Sequence, residues 1–251
     1  MWSFFSSVFT GSNHVNQNLP CQDYANYTIT EKGVYVAALS DGASSSVYGD
    51  IAASRNVNSV INLFHMVEFD DFLSYPITEQ RKLILNACRS SIQANVNRIP
   101  GAKPRDFAAT LLFMASDGQR LVFGHIGDGA ICGATSKGEI ETLSHPANIG
   151  HERNKTFFTL SQDAEEHFEI TVINDISDYN AIIMMSDGPE TSFYDYTKGR
   201  MRDNNLLTVI DDIGRERARE TELTYFLKSN FWKHGITGDD CSILLFVRES
   251  E

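Results

Sequence analysis

Four apolar segments of the chain end or begin at an aspartate that lies beside a glycine. In the clearest case, residues 34–39 form an apolar run that stops at Ser40-Asp41-Gly42. This pattern predicts a buried strand whose tip carries the Asp41 carboxylate, and the glycine permits a tight turn after it. The same arrangement recurs at Gly127-Asp128-Gly129, Ser186-Asp187-Gly188 and Gly238-Asp239-Asp240. The fold therefore has to accommodate four strands that each present an aspartate at one end.

A single Asp-Gly pair most often marks a simple turn. Hairpin turns, however, usually separate strands with polar flanks, whereas these pairs adjoin strands apolar enough to be central. We therefore expect the four aspartates to converge. Carboxylates in close proximity repel one another unless a cation lies between them, and oxygen ligands suit hard divalent cations such as magnesium, manganese or calcium. The sequence predicts a metal centre.

Length and charge limit the other possibilities. The chain has 251 residues, which is enough for one large domain or at most two small ones, and no segment has the composition of a linker. We predict a single domain over residues 1–251. The 21 basic and 33 acidic residues give a net charge of −12, which argues against a nucleic-acid partner and suits a protein that collects cations.

The cysteines and the apolar runs indicate a cytoplasmic protein. Cys21, Cys88, Cys132 and Cys241 form no CxxC pair, so we expect reduced thiols rather than a zinc ribbon or a redox dithiol. None of them has an arginine at the sixth position after it, so the phosphate-binding loop of cysteine-dependent phosphatases is absent. No apolar run approaches the about 20 residues that span a bilayer, and residues 1–12 are typical of a first strand rather than a signal peptide.

The periodicity of apolar residues predicts a layered α+β fold. We expect two adjacent helices near the Asp41 strand, with Thr78 as the N-cap of the second, followed by strand pairs rather than strict alternation. Residues 11–24 are interpreted as a loop, and residues 144–169 as a long loop or flap near the site. The predicted strands cover residues 2–10, 25–30, 34–39, 108–116, 120–126, 130–134, 168–173, 181–185 and 241–247. The predicted helices cover residues 47–66, 78–98, 206–213 and 216–228.

The order of six motifs resembles a known family. They are GSNH…PCQDY, ALSDGASSSVYGDIAA, AATLLF, HIGDGAICG, MMSDGPETS and GDDCSILLF. Together they span nearly the whole chain and resemble the metal-dependent Ser/Thr protein phosphatases of the 2C type, in particular the bacterial branch. The resemblance implies an α-β-β-α arrangement, in which a sandwich of two antiparallel sheets is flanked by helix pairs and two metals lie at one end.

The resemblance also implies roles for particular residues. Asp41 would bridge two divalent cations, manganese or magnesium, and the Gly42 carbonyl would be a further ligand. Asp187 and Asp239 would complete the protein's share of the coordination. The implied activity is hydrolysis of phosphoserine and phosphothreonine in proteins by a water that the two metals activate. The substrate would be a phosphoprotein, and the enzyme would oppose a bacterial Ser/Thr kinase.

Three positions depart from the family pattern. Gln22-Asp23 stands where the family usually has Glu-Asp, so a neutral amide replaces a carboxylate that holds metal-bound water, and weaker occupancy of one metal is expected. His14 takes the place of the phosphate-binding arginine; it either donates to phosphate when protonated or is an ordinary loop histidine. Ala43 replaces a histidine that is proposed as the general acid in eukaryotic members.

A third metal site and a second function stay open. Asp128 matches an aspartate that helps to hold a third, weaker metal in relatives, but its usual companion is Thr191 here, with Glu190 adjacent as a substitute. The departures also suit a phosphatase-like module that has lost efficient turnover and binds a phosphoprotein or regulates a partner. A hydrolase of small phosphorylated molecules is a third, weaker alternative.

Overall fold

Two five-stranded antiparallel sheets form the centre of the fold in the computed structural model, which describes residues 1–146, 156–202, 206–214, 223–225 and 238–249. Sheet 1 has the strand order β1 (Trp2–Phe9), β12 (Cys241–Arg248), β9 (Tyr179–Met185), β6 (Ala130–Thr135) and β7 (Ile140–Ser144). Sheet 2 has the order β2 (Asp23–Ile29), β3 (Tyr35–Asp41), β4 (Leu111–Ser116), β5 (Leu121–Ile126) and β8 (Glu169–Ile173). The short pair β10 (Tyr194–Asp195) and β11 (Arg200–Met201) lies outside both sheets.

Helices cover the outer faces of the sandwich. The described helices are α1 (Ser12–Gln17), α2 (Gly49–Met66), α3 (Phe69–Ser74), α4 (Ile77–Val96), α5 (Ala164–His167), α6 (Asp187–Phe193) and α7 (Leu206–Gly214). Helices α2 and α4 pack on sheet 2, and α7 packs on sheet 1. No helix in the described part of the chain combines the length and the hydrophobicity that a membrane span requires.

Strand β3 is apolar on both faces because both faces are buried. Ala37 and Leu39 point into the core between the two sheets, whereas Val36 and Ala38 point toward α2 and α4. Successive side chains of a strand face opposite sides of its sheet, so a strand enclosed by another sheet and by helices needs apolar residues throughout. The hydrogen-bonded pairing of β3 with β2 and β4 sets its register and places Asp41 opposite Asp23 at the strand tip.

Most predicted elements are confirmed, and the differences are local. The predicted α+β class and the two antiparallel sheets agree with the structure. The loop predicted over residues 11–24 contains α1, and Thr78 is not an N-cap because α4 begins at Ile77, directly after Pro76. The elements that were not predicted are α3, α5, α6, β7, β10 and β11, and α5 lies within the segment 144–169 that was predicted to be a loop or flap. The predicted helix over residues 216–228 lies outside the described residues except for 223–225, which are helical, and residues 147–155 of the predicted flap also lie outside them.

Candidate metal centre

Four aspartates from separate parts of the chain line one cavity of about 340 Å³. Asp41 is the last residue of β3, Asp128 lies between β5 and β6, Asp187 begins α6 directly after β9, and Asp239 immediately precedes Asp240 and β12. The remaining lining residues are Gly42, Ala43, Ser44, Ser45, Thr110, Thr156 and Phe158. The predicted convergence of the four Asp-Gly tips is therefore what the fold produces.

Three of the four carboxylates, those of Asp41, Asp128 and Asp187, are close enough to share a cation, and Asp239 lines the same cavity outside this group. One oxygen from each of Asp41, Asp128 and Asp187 lies within 4.8 Å of the other two. Oδ1 of Asp187 is buried without a hydrogen-bond partner among the described residues. A buried carboxylate oxygen without a partner is costly, and an oxygen-only donor set is what magnesium and manganese prefer. The residues present fit a divalent metal centre.

Electrostatics point in the same direction. Burial, together with the charges of Asp23 and Asp187, raises the pKa of Asp41 well above its ordinary value. Burial and the charge of Asp128 raise the pKa of Asp187 to about 8, and burial also raises the pKa of Asp239. Each of these shifts means that the negative charges are poorly compensated by the protein alone. A bound cation would supply the missing compensation.

The backbone around Asp41 is held by hydrogen bonds to neighbouring strands. The Asp41 amide donates to Thr110 Oγ1 at 3.0 Å, and the Thr110 amide donates to the Asp41 carbonyl at 2.8 Å. The next amide, that of Gly42, donates to the Gln22 carbonyl at 3.0 Å. A Cβ atom on Gly42 would lie 2.4 Å from the carbonyl carbon of Gly49. Glycine is therefore required at position 42 because the start of α2 approaches the turn closely.

Comparison with known proteins agrees with this architecture. The family model described as "Protein phosphatase 2C" matches residues 10–228. The chain belongs to the protein phosphatase 2C family. It is accordingly a protein phosphatase by class, and the predicted resemblance is confirmed. No curated protein sequence matches the chain significantly.

Solved structures of bacterial 2C phosphatases share the fold. The serine/threonine phosphatase Stp1 from Staphylococcus aureus is 13% identical, with 100% of this chain and 96% of that chain covered and a TM-score of 0.70. The phosphatase PstP/Ppp from Mycobacterium tuberculosis is 16% identical, with 99% of each chain covered and a TM-score of 0.68. The catalytic domain of PstP in complex with two manganese ions is 14% identical, with 98% and 97% covered and a TM-score of 0.68.

In this 2C phosphatase, Gln22 and Asp23 lie behind the cavity rather than in its lining. Asp23 is buried opposite Asp41 in the β2–β3 register, and its Oδ2 accepts a hydrogen bond from Ser186 Oγ at 2.7 Å. Burial raises the pKa of Asp23 to about 7. The Gln22 side-chain amide donates to the Ser46 carbonyl at 3.3 Å. The roles predicted for both residues around the metals stay predictions.

His14 is engaged by a residue that the sequence interpretation missed. Its Nδ1 lies 2.9 Å from Oδ2 of Asp240, and His14 is not among the described residues that line the cavity. The buried Asp240 carboxylate also accepts hydrogen bonds from the backbone amides of Gly11 at 2.7 Å and Gln22 at 2.6 Å. The signal for Asp240 was its position directly after Asp239. The predicted phosphate contact of His14 stays a prediction.

Asp128 and Glu190 occupy different environments. Asp128 forms, with Asp41 and Asp187, the acidic cluster of the 2C phosphatase. Its Oδ2 accepts a hydrogen bond from Thr156 Oγ1 at 2.6 Å. Glu190 is buried outside the cavity lining; its Oε2 accepts from the Tyr196 hydroxyl at 2.8 Å, and burial raises its pKa to about 7. Whether either holds a third metal stays a prediction. Thr156 was missed individually, although it lies in the segment predicted to be near the site.

Proposed function

We propose that this phosphatase hydrolyses phosphoserine and phosphothreonine in protein substrates with two divalent cations, manganese or magnesium. The observation that carries the proposal is the convergence of Asp41, Asp128, Asp187 and Asp239 in one cavity. Asp41, Asp187 and Asp239 would hold the cations through their carboxylates, and Gly42 through its carbonyl. When bound, the two cations supply a water of near-neutral pKa and neutralise the charge of the phosphoryl group.

The chain's own residues prepare the cavity for such chemistry. The paired hydrogen bonds between Asp41 and Thr110 fix the strand tip on which the Asp41 carboxylate depends. The described lining places four carboxylates around the space that a phosphate would enter, so a phosphate dianion would be repelled unless cations offset that charge.

The proposed partner is a phosphorylated protein from a bacterial Ser/Thr kinase pathway. The similar structures include Stp1 and PstP, both described as serine/threonine phosphatases, and this likeness supports the choice of substrate class. We also propose a cytoplasmic location, because none of the four cysteines forms a disulfide, and proteins without disulfides are typical of a reducing compartment.

The test measures hydrolysis of p-nitrophenyl phosphate and of a phosphothreonine peptide with Mn²⁺, with Mg²⁺ and with EDTA. The variants are Asp187→Asn and, as a matched control, Asp178→Asn, whose aspartate is exposed. We expect cation-dependent activity that Asp187→Asn lowers by about 100-fold or more, since it removes a ligand that positions charge for the reaction. The control should retain the wild-type rate. Folded, cation-loaded wild type without activity on either substrate would contradict the proposal.

A phosphatase-like binding module is the second candidate. It is favoured by the engagement of His14 with Asp240 at 2.9 Å, because the residue that takes the place of the phosphate-binding arginine already has a carboxylate partner. Binding of a phosphopeptide in the presence of Mn²⁺ without measurable hydrolysis would support this candidate over the enzyme.

A further inference from the structure

One carboxylate oxygen of the acidic cluster already accepts a hydrogen bond from a neighbouring hydroxyl. Thr156 Oγ1 donates to Oδ2 of Asp128 at 2.6 Å, and both residues line the cavity. A hydrogen bond to a carboxylate is among the stronger ones and restricts the rotation of the acid. Asp128 also contributes one oxygen to the group with Asp41 and Asp187. The Thr156 hydroxyl therefore helps to determine where the Asp128 carboxylate points.

The segment that carries Thr156 is attached to the core by hydrogen bonds at Thr159 and Ser161. Residues 156–161, here called the anchored wall, are tied down at Thr159, whose amide donates to the Ala109 carbonyl at 3.1 Å. The fully buried Thr159 hydroxyl donates to Asn56 Oδ1 at 3.1 Å. Arg89 donates from Nε to the Thr159 carbonyl and from Nη2 to the Ser161 carbonyl, each at 3.2 Å. Four hydrogen bonds thus hold the anchored wall: one with Ala109, which lies just before β4, one with Asn56 of α2 and two with Arg89 of α4.

The buried side-chain amide of Asn56 also supports the backbone at Asp41. Asn56 Nδ2 donates to the Thr110 carbonyl at 3.1 Å, and Thr110 exchanges two hydrogen bonds with Asp41. The Asn56 side chain therefore hydrogen-bonds both to Thr110, which holds Asp41, and to Thr159 of the anchored wall. Thr156, in the same wall, connects this network to Asp128.

We propose that Thr156 is a positioning residue for divalent-cation binding: its hydroxyl holds the Asp128 carboxylate within the acidic cluster. The proposal rests on the proposed function, since it assumes that the cluster binds Mn²⁺ or Mg²⁺. Partners that orient a ligand carboxylate typically change metal affinity by about 10- to 100-fold when they are removed. Thr156 acts through Asp128 and does not need to contact the cation itself.

Calorimetric titration of the metal-free protein with MnCl₂ tests the proposal. Thr156→Val removes the hydroxyl at nearly constant volume, and we expect the Mn²⁺ dissociation constant to rise by about 10-fold or more. Thr156→Ser keeps the donor and should bind Mn²⁺ within about threefold of wild type. The matched control is Thr197→Val, because Thr197 Oγ1 also donates to an aspartate, Asp195 Oδ1 at 2.7 Å, in an exposed turn outside the cavity lining. This control should leave Mn²⁺ affinity unchanged.

A double-mutant cycle separates positioning from a general structural effect. In an Asp128→Asn background the Thr156→Val change should no longer alter Mn²⁺ affinity, because the carboxylate to be positioned is gone. Thermal unfolding in EDTA checks that both Thr156 variants are folded. Equal affinities of wild type and Thr156→Val, tighter binding by Thr156→Val, or additive effects in the cycle would each overturn the inference. Absence of Mn²⁺ binding by the wild type would instead contradict the proposed function.

Discussion

Asn56 offers the sharpest test of how the core supports the site. Its side chain is fully buried and makes two well-formed hydrogen bonds, one to the Thr110 carbonyl and one from the Thr159 hydroxyl, each at 3.1 Å. Asn56→Ala removes both. At about 1 kcal/mol for each hydrogen bond, and about 1 kcal/mol for the cavity that the amide leaves, the free energy of unfolding should fall by about 3 kcal/mol.

A second asparagine on α2 provides the reference. Asn62 is exposed, so Asn62→Ala reports the gain in helix propensity, about 0.5 kcal/mol, without loss of buried hydrogen bonds. Both variants are unfolded with urea in EDTA, so that cation binding does not contribute to the measured stability. The difference between the two midpoints, converted with a common m-value, isolates the buried network. If Asn56→Ala were within about 0.5 kcal/mol of Asn62→Ala, the assigned role of the network would be refuted.

Two further predictions concern the acidic cluster. Because the pKa of Asp187 is raised to about 8 in the folded protein, the unfolded chain releases this proton near pH 4 and the folded chain only near pH 8. The Asp187 carboxyl should therefore destabilise the metal-free protein as the pH rises from about 4 to about 8, and Mn²⁺ should stabilise the protein most at the upper end. Over this range the melting temperature in EDTA should fall more for the wild type than for Asp187→Asn, and an equal or smaller fall would argue against the cluster geometry. Gly42→Ala places a Cβ 2.4 Å from the Gly49 backbone, so we expect the free energy of unfolding to fall by at least about 2 kcal/mol and Mn²⁺ to bind more weakly. Both quantities are measured against Gly138→Ala. At Gly138 nothing lies within 4 Å of the added atom, although its φ of +76° adds strain.

The convergence of the aspartates could be predicted because its signals are local. Each apolar strand and its Asp-Gly tip lie within about ten residues of sequence, so the apolar run and the aspartate that ends or begins it can be recognised together. The class of fold followed from the same strands. The repulsion expected between converging carboxylates indicated a metal centre, and the likeness to 2C phosphatases then implied the roles of individual ligands.

The missed features depend on contacts between distant parts of the chain. Helix α1 has only six residues, and its Asn13 amide bonds to the Gly238 carbonyl at 2.8 Å, so nothing in residues 11–24 alone predicts it. The start of α4 was placed at Thr78 from a capping preference, but Pro76 already provides the turn into the helix. Thr156 meets Asp128 across 28 residues of sequence, and the wall that carries Thr156 is held by Arg89 and Asn56 from two distant helices.

The acidic cavity draws on both sheets, and this has a consequence for how the protein assembles. Asp41 ends a strand of sheet 2, Asp187 and Asp239 adjoin strands of sheet 1, and Asp128 lies where the chain crosses from one sheet to the other. A nascent or partly unfolded chain that has formed only one sheet cannot bring these ligands together. A cation bound by these aspartates, as proposed, would therefore select the completely assembled sandwich and stabilise it as a whole rather than any single part.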